Sequence, residues 1–393
     1  MNLLNSDGTP IVSIKVVGVG GGGNNAINRM IASGVKGAKF IAVNTDKQVL
    51  LMNKADEKLQ IGVKMTRGQG AGSDPEIGKR AAEESEEAIR KVLDGTDLLF
   101  VTAGMGGGTG TGAAPVIARI AKDMGIVTVA VVTTPFHFEG QIKMKNAEEG
   151  IAELRKYVDT MVIIPNAKLT KILPKNISAL QAFMYADDVL RQGIQGISDI
   201  IVKPNMINVD FADIKNVIKG KGIAHMGIGH GKGENKMMEA VQEAIASPLL
   251  ETSIEGATGL IYNVRYCLDL PMSELDEVSE LIEKIVSPNC NIIHGNGADE
   301  TLVDEVEITV IATGFEENKR DKQNINSNGS FESFEDFKNR SDENNEEIEN
   351  VAEKIFKNAT VENRTDKLSS LIQNEYEEEE DIPPFLKKLR DKK

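Results

Sequence analysis

From residue 11 to about residue 312, short β-branched apolar runs alternate with longer stretches whose apolar positions recur every three or four residues. The first pattern predicts strands and the second helices. Strands are expected at Ser13–Val19, Lys39–Val43, Leu98–Thr102, Val127–Val132 and Met161–Ile164. Helices are expected at Asn25–Ile31, Pro75–Leu93, Ala114–Lys122 and Gln141–Lys156. This alternation implies an α/β fold of βα units around a mostly parallel, Rossmann-like sheet.

A longer helical pattern runs from Ser178 to Val202. Its apolar positions, Leu180, Phe183, Met184, Val189, Ile194, Ile197 and Ile201, nearly surround it, so burial between two layers is expected. At about 1.5 Å per residue it would span about 40 Å. Strands near Gly222–Ile228, Gly259–Tyr266, Asn291–His294 and Glu305–Ile311 follow, with helices at Lys236–Ala246 and Ser273–Val286. They predict a second, smaller α/β domain.

After Phe315 the chain turns rich in Asn, Glu, Asp, Lys and Ser. Such a segment buries too little apolar surface to offset its ordering entropy and reads as a disordered linker. The acidic run Glu377–Asp381 precedes a compact apolar and basic cluster, Ile382–Arg390. Such a cluster on a solvated tail suits a short motif that docks in a partner's groove. The expected plan is a first domain over residues 1–177, a central helix over 178–203, a second domain over 204–315, a linker over 316–376 and a tail peptide over 377–393.

The 393 residues fit two domains with tails, and 40% of them are hydrophobic, enough for a sizeable core. The formal charge of −15 excludes a basic nucleic-acid footprint and a direct grip on anionic lipid. Cys267 and Cys290 form no CxxC pair, so two reduced thiols in a cytosolic protein are expected. The first eleven residues lack the apolar stretch of a signal peptide, and no run is apolar enough to span a bilayer. Membrane contact would then go through a partner.

Two glycine-rich segments carry the chemistry. Val16–Asn25 joins a strand to a helix, and its glycines let backbone N–H groups approach a phosphate. Gly18, Gly20 and Gly23 fit GxGxxG, and Asp46 falls where a dinucleotide fold places its ribose acid. A nicotinamide-dependent enzyme is thus one alternative. However, Ala103–Gly112 repeats the strand–glycine–helix arrangement, and two phosphate loops at neighbouring strand ends suit a nucleoside triphosphate better. GxxxxGK[ST] is absent, which excludes a P-loop enzyme.

The run Gly106-Gly107-Gly108-Thr109-Gly110-Thr111-Gly112 resembles the signature of the tubulin superfamily. The stretch from Val16 to Gly140, and the body as far as Phe315, are similar to the FtsZ family, the bacterial tubulin-like cell-division GTPases. The terminal Asp381–Arg390 peptide resembles that family's partner-binding tail. The resemblance implies a GTPase, with Mg²⁺, that stacks head to tail into filaments and forms the cytokinetic ring. It further implies a cytoplasmic protein at midcell beneath the inner membrane, with membrane-anchoring and regulatory division proteins on its tail.

Carried over residue by residue, the resemblance gives Gly21, Gly22, Gly23, Asn24 and Asn25 to the phosphates, with Gly108, Thr109 and Gly110. Gly70-Ala71-Gly72 resembles the loop that senses the γ-phosphate. Asn44-Thr45-Asp46 lies beside the phosphates, facing either nucleotide or its Mg²⁺. Glu139 is implied to accept from the ribose hydroxyls. Lys143 stands where the family usually has arginine, which keeps the charge and loses the planar fork.

Asp187 would pair with the N1–H and N2–H edge of guanine. Phe183, one turn earlier, either stacks on the base or packs in the core. Asp210 and Asp213 lie near a helix start, where acids also serve as caps. The resemblance makes them water-polarising acids that act on the neighbouring subunit's nucleotide, with Asn208 contacting that nucleotide. His225 and His230 read as structural. A tubulin-like relative used in plasmid segregation or regulation remains the other alternative.

Overall fold

The computed structural model describes residues 12–173, 176–202, 210–247, 249–250, 254–268, 270–299 and 302–315. In chain order these form β1 (Ile14–Val19), α1 (Gly20–Ala32), β2 (Lys39–Asn44), α2 (Lys47–Met52), β3 (Glu57–Gln60), α3 (Val63–Thr66), α4 (Pro75–Glu84) and α5 (Glu86–Leu93). Next come β4 (Leu98–Gly104), α6 (Thr109–Asp123), β5 (Val127–Thr134), α7 (Gln141–Leu154), β6 (Thr160–Pro165), α8 (Asn166–Ile172) and the long α9 (Ala179–Val202). The remainder is α10 (Phe211–Ile218), β7 (Gly222–Lys232), α11 (Lys236–Ile245), β8 (Gly259–Tyr266), α12 (Met272–Ile285), β9 (Asn291–Ala298) and β10 (Glu305–Thr313).

All ten strands join one sheet in the order β3-β2-β1-β4-β5-β6-β7-β10-β8-β9. From β3 to β7 every pairing is parallel. The short β6–β7 ladder, Thr160↔Gly222 to Val162↔Ala224, joins the all-parallel part of the sheet to a mixed part. There β10 runs antiparallel to β7 and β8, while β8 and β9 are parallel.

Strand alternation sorts the core. Ile14 and Val16 of β1 join α1, α9 and α10 in one apolar layer. Val17 and Val19 face the other way, into a layer with α4 to α7. A third cluster sits under α11 and α12. This is the period-2 pattern of a strand buried on both faces.

Three sequence expectations shift. The predicted helix Pro75–Leu93 is two helices, broken at Ser85, whose Oγ accepts the Gly62 N–H at 3.1 Å. The helices predicted from Asn25 and Ala114 begin earlier, at Gly20 and Thr109, because the glycines themselves form the first turns. The central helix is buried along most of its length, but Leu180 (58% exposed) and Phe183 (39%) are not. That end overhangs the sheet.

Helix α9 has 24 residues and so a length of about 36 Å. One flank carries a polar chain. Arg191 Nε donates to Asp188 Oδ1 at 2.7 Å, Arg191 Nη1 to Gln195 Oε1 at 2.5 Å, and Gln195 Nε2 to Asp199 Oδ2 at 3.2 Å. Burial pushes the Asp188 carboxyl up, but Arg191, Arg29 and the Gln192 N–H more than offset it and hold it below its ordinary value.

Across the facing sheet, His230, Glu307 and Arg265 stand opposite one another on β7, β10 and β8. Arg265 Nη1 donates to Glu307 Oε2 at 2.6 Å, and its Nη2 donates to Asp299. These side chains are mostly buried, so removing the arginine strands two carboxylates. Arg265→Ala is expected to lower the unfolding free energy by about 3 kcal/mol in urea titration. A loss below about 1 kcal/mol would mean that solvent already screens the cluster.

Candidate functional site

The carboxyl edge of the parallel strands carries the two glycine turns. β1 passes directly into α1 through Gly20, whose φ is 72°. A Cβ at Gly20 would stand 2.7 Å from the Gly110 nitrogen, and one at Gly22 would stand 3.1 Å from the Gly104 nitrogen. The two turns therefore touch backbone to backbone, an approach only glycine allows. Helices α1 and α6 begin side by side, each with unsatisfied N–H groups and the positive end of its dipole. Gly21, Gly22 and Asn25 are exposed around them, while Gly23 is buried. The arrangement is an anion cradle.

The side chains of Asn24 and Asn44, both expected beside the nucleotide, are hydrogen-bonded within the protein. Asn24 is fully buried; its Nδ2 donates to the Gly18 carbonyl at 2.8 Å and its Oδ1 accepts from Asn44 Nδ2 at 2.9 Å. Asn44 Oδ1 in turn accepts the Asp46 N–H at 3.1 Å. Asp46 caps α2, accepting from the Gln48 and Val49 N–H groups at 2.8 and 3.3 Å. The ribose acid that a dinucleotide site requires is thus engaged as a helix cap.

A third loop presses on the second turn. Gly70, Gly72 and Ser73 all have positive φ. A Cβ at Gly108 would stand 2.9 Å from the Ala71 Cβ and 2.8 Å from the Asp74 nitrogen. Ala71 is buried and Gly72 exposed. Thr109 opens α6, with its Oγ1 2.7 Å from Thr45 Oγ1. Thr111 Oγ1 accepts the Gly106 N–H at 2.8 Å and holds the turn closed.

Past the end of β5, the 3-10 turn His137–Glu139 carries an acid and an aromatic. Glu139 Oε1 accepts the Phe136 N–H at 3.0 Å, and Oε2 meets Lys143 Nζ at 3.1 Å. Lys143 is therefore an ion-pair partner of Glu139 and not a free lysine. Phe136 stacks on Phe138 at 5.3 Å between centroids, and Phe183 meets both rings edge-on. Phe136 is buried, while Phe138 and Phe183 expose ring surface. Asp187, one turn beyond Phe183 on α9, is half-buried.

Sequence reasoning missed Asn166. It begins α8 at the carboxyl end of β6, is 4% exposed, and its Oδ1 is buried with no hydrogen-bond partner. Buried acceptors are normally hydrogen-bonded, so Asn166 is a further candidate for a ligand contact. No local pattern marks it; an asparagine directly after an apolar strand was the available signal.

Asp210 and Asp213 lie elsewhere. Helix α10, which starts at them, is fastened at its other end to the amino edge of the sheet: the Ile218 carbonyl accepts from Thr160 Oγ1 at 2.5 Å. Val202, at the end of α9, packs where Gly37 leads into β2, also at that edge. Asp210 stands at the α10 N-cap position but makes no side-chain capping bond. Both acids are exposed. Asn208 and the tail peptide Asp381–Arg390 lie outside the described residues.

The family model described as "Tubulin/FtsZ family, GTPase domain" matches residues 13–174, and "FtsZ family, C-terminal domain" matches residues 222–316. The FtsZ dimer of M. jannaschii is similar at 47% identity and a TM-score of 0.75, over 77% of this chain and 88% of that one. GDP-bound monomeric CetZ1 from Haloferax volcanii shares the fold at 22% identity and a TM-score of 0.67, over 79% and 97%. The GTPγS-bound CetZ2 protofilament from the same organism does so at 18% and 0.64, over 79% and 96%.

Gly20→Ala tests the cradle. The side chain would be strained at positive φ, by about 1–2 kcal/mol, and would push the two turns apart. Affinity for GTP is expected to fall at least about tenfold by calorimetry. Unchanged affinity would mean that the paired turns are not the anion site.

Proposed function

The chain belongs to the tubulin/FtsZ family and is a GTP hydrolase, and from that premise we propose that it polymerises head to tail and hydrolyses GTP at the junction between two copies. The observation that carries this reading is the separation of the parts. The anion cradle is at one edge of the sheet, and the helix bearing the exposed acids Asp210 and Asp213 is anchored at the other. A group that must reach the γ-phosphate then comes from a second molecule.

In this reading Gly21, Gly22, Gly23 and Asn25 hold the phosphates together with Gly108, Thr109 and Gly110, while Ala71 and Gly72 close over the γ-phosphate. Glu139 accepts from the ribose hydroxyls, and Lys143 neutralises it until nucleotide arrives. Asp187 and the orphan Asn166 carbonyl accept from the guanine edge, which adenine could not satisfy in the same way. The exposed rings of Phe138 and Phe183 flank the base.

Among the described residues no three carboxylate, histidine or cysteine groups could hold a metal. Mg²⁺ would therefore be held chiefly by phosphate oxygens, its usual habit in triphosphate sites. Asp210 and Asp213 of one copy polarise a water over the γ-phosphorus of the next, with Asn208 against that nucleotide. The water oxygen bonds to phosphorus, the bond to the β–γ bridging oxygen breaks, the electron pair leaves with GDP, and the water's proton passes by way of the carboxylates to solvent. Positioning and charge supply most of the acceleration in such transfers.

We assign the filament to cytokinesis at the bacterial division site, with Asp381–Arg390 docking a membrane-anchoring protein. The identity to FtsZ, about twice that to the CetZ proteins, favours this role over a cytoskeletal relative outside division. The residue bounds of the sequence plan, with the central helix between two domains, are part of this proposal.

GTP turnover per molecule should be negligible below a threshold protein concentration and rise with sedimentable polymer. Concentration-independent turnover would instead place the whole site in one chain. Asp213→Ala should bind GTP and pellet normally while losing about 10²–10⁴-fold in turnover; near-normal hydrolysis by its polymer would remove the acid from the mechanism. Deleting residues 381–393 should spare GTPase activity but abolish recruitment of the anchor to midcell. An anchor still recruited would show that the tail is not its docking site.

A further inference from the structure

Thr45 follows β2 directly and is fully buried. Its carbonyl accepts from Thr66 Oγ1 at 3.3 Å, which fixes it against the segment leading into the third loop. Its hydroxyl meets Thr109 Oγ1 at 2.7 Å, across 64 positions of sequence. Among the described residues that hydroxyl has no other partner.

We propose that Thr45 is a positioning residue for nucleotide binding: its hydroxyl donates to Thr109 Oγ1 and so directs the Thr109 proton at a phosphate oxygen. The proposal rests on the phosphate-turn reading given above.

Each threonine hydroxyl has one proton to give. If Thr109 were the donor, the Thr45 proton would be left in a dry site with no acceptor, which is costly. With Thr45 as donor its proton is used, and the Thr109 proton is the one left for a ligand. Thr109, at 9% exposure, then has its hydroxyl proton available to the site. A donor fixed at the start of α6 suits an anionic oxygen. The pair also couples the second glycine turn to the end of β2 and, through Thr66, to the segment that leads to Gly70-Ala71-Gly72. None of this is visible in the backbone contacts of the cradle.

A double-mutant cycle on the full chain decides the matter. GDP affinity would be measured by calorimetry with Mg²⁺, below the assembly threshold, beside thermal melting without nucleotide. Thr109→Val should weaken GDP about ten- to a hundredfold, the loss of a hydrogen bond to a charged group. Thr45→Val, nearly isosteric, should weaken it about three- to tenfold. Thr45→Ser, which keeps the hydroxyl, should stay within about twofold of the parent.

The double variant should be no weaker than Thr109→Val beyond about twofold, since Thr45 acts through Thr109. Unchanged affinity in Thr45→Val, additive losses in the double variant, or failure of serine to restore binding would overturn the proposal while leaving the phosphate turns intact. No loss in Thr109→Val would overturn both. A drop in melting temperature that serine fails to correct would mark Thr45 as a packing residue only.

Discussion

Backbone-to-backbone contact between the two glycine turns is the constraint on which the site depends. Where Gly20, at positive φ, meets Gly110, a side chain would drive the starts of α1 and α6 apart. Because nothing stands between them, two helix dipoles and two sets of unsatisfied N–H groups act on one volume, and their attraction for an anion adds. The rest of the crest serves that contact. Asn24 and Asn44 spend their amides on each other and on β1, Thr111 closes the second turn, and Asp46 caps α2. The groups left free are at the rim, where a ligand can reach them.

The second constraint is length. A helix of 24 residues reaches from the aromatic cluster at the crest to the opposite edge of the sheet. It is stiffened along one flank by the chain from Asp188 through Arg191 and Gln195 to Asp199. A strand of six residues is only about 20 Å long, so the helix is longer than such a strand. Groups at its two ends cannot meet within one molecule. Under the proposed head-to-tail assembly, two such molecules would bring them together.

Much of this was legible in the sequence, and the misses have physical causes. Strand Gly259–Tyr266 is legible to the residue, and the other expected strands to within one to four, because runs of β-branched apolar residues mark strands buried on both faces; the polar β3 has no such run. The starts of α1 and α6 were placed too late because glycine is a poor helix former in isolation. Here close packing compensates, and a glycine is required where a larger residue would be the better helix former. Ser85 split a helix that periodicity read as continuous, since its hydroxyl is engaged by Gly62 from a distant segment.

The sequence by itself determined the alternation of strands and helices, the two phosphate turns and the acid and aromatic candidates around them. Each is written in residues that lie close together along the chain. Only the tertiary structure decided which of those candidates are free to act. It gave the side chains of Asn24, Asn44 and Asp46 partners within the protein, left Asn166 Oδ1 without one, paired Lys143 with Glu139, and set Thr45 against Thr109. The physical reason is that hydrogen-bond satisfaction is settled in space. A donor's availability depends on acceptors brought to it from segments far away in sequence, and no local pattern records them.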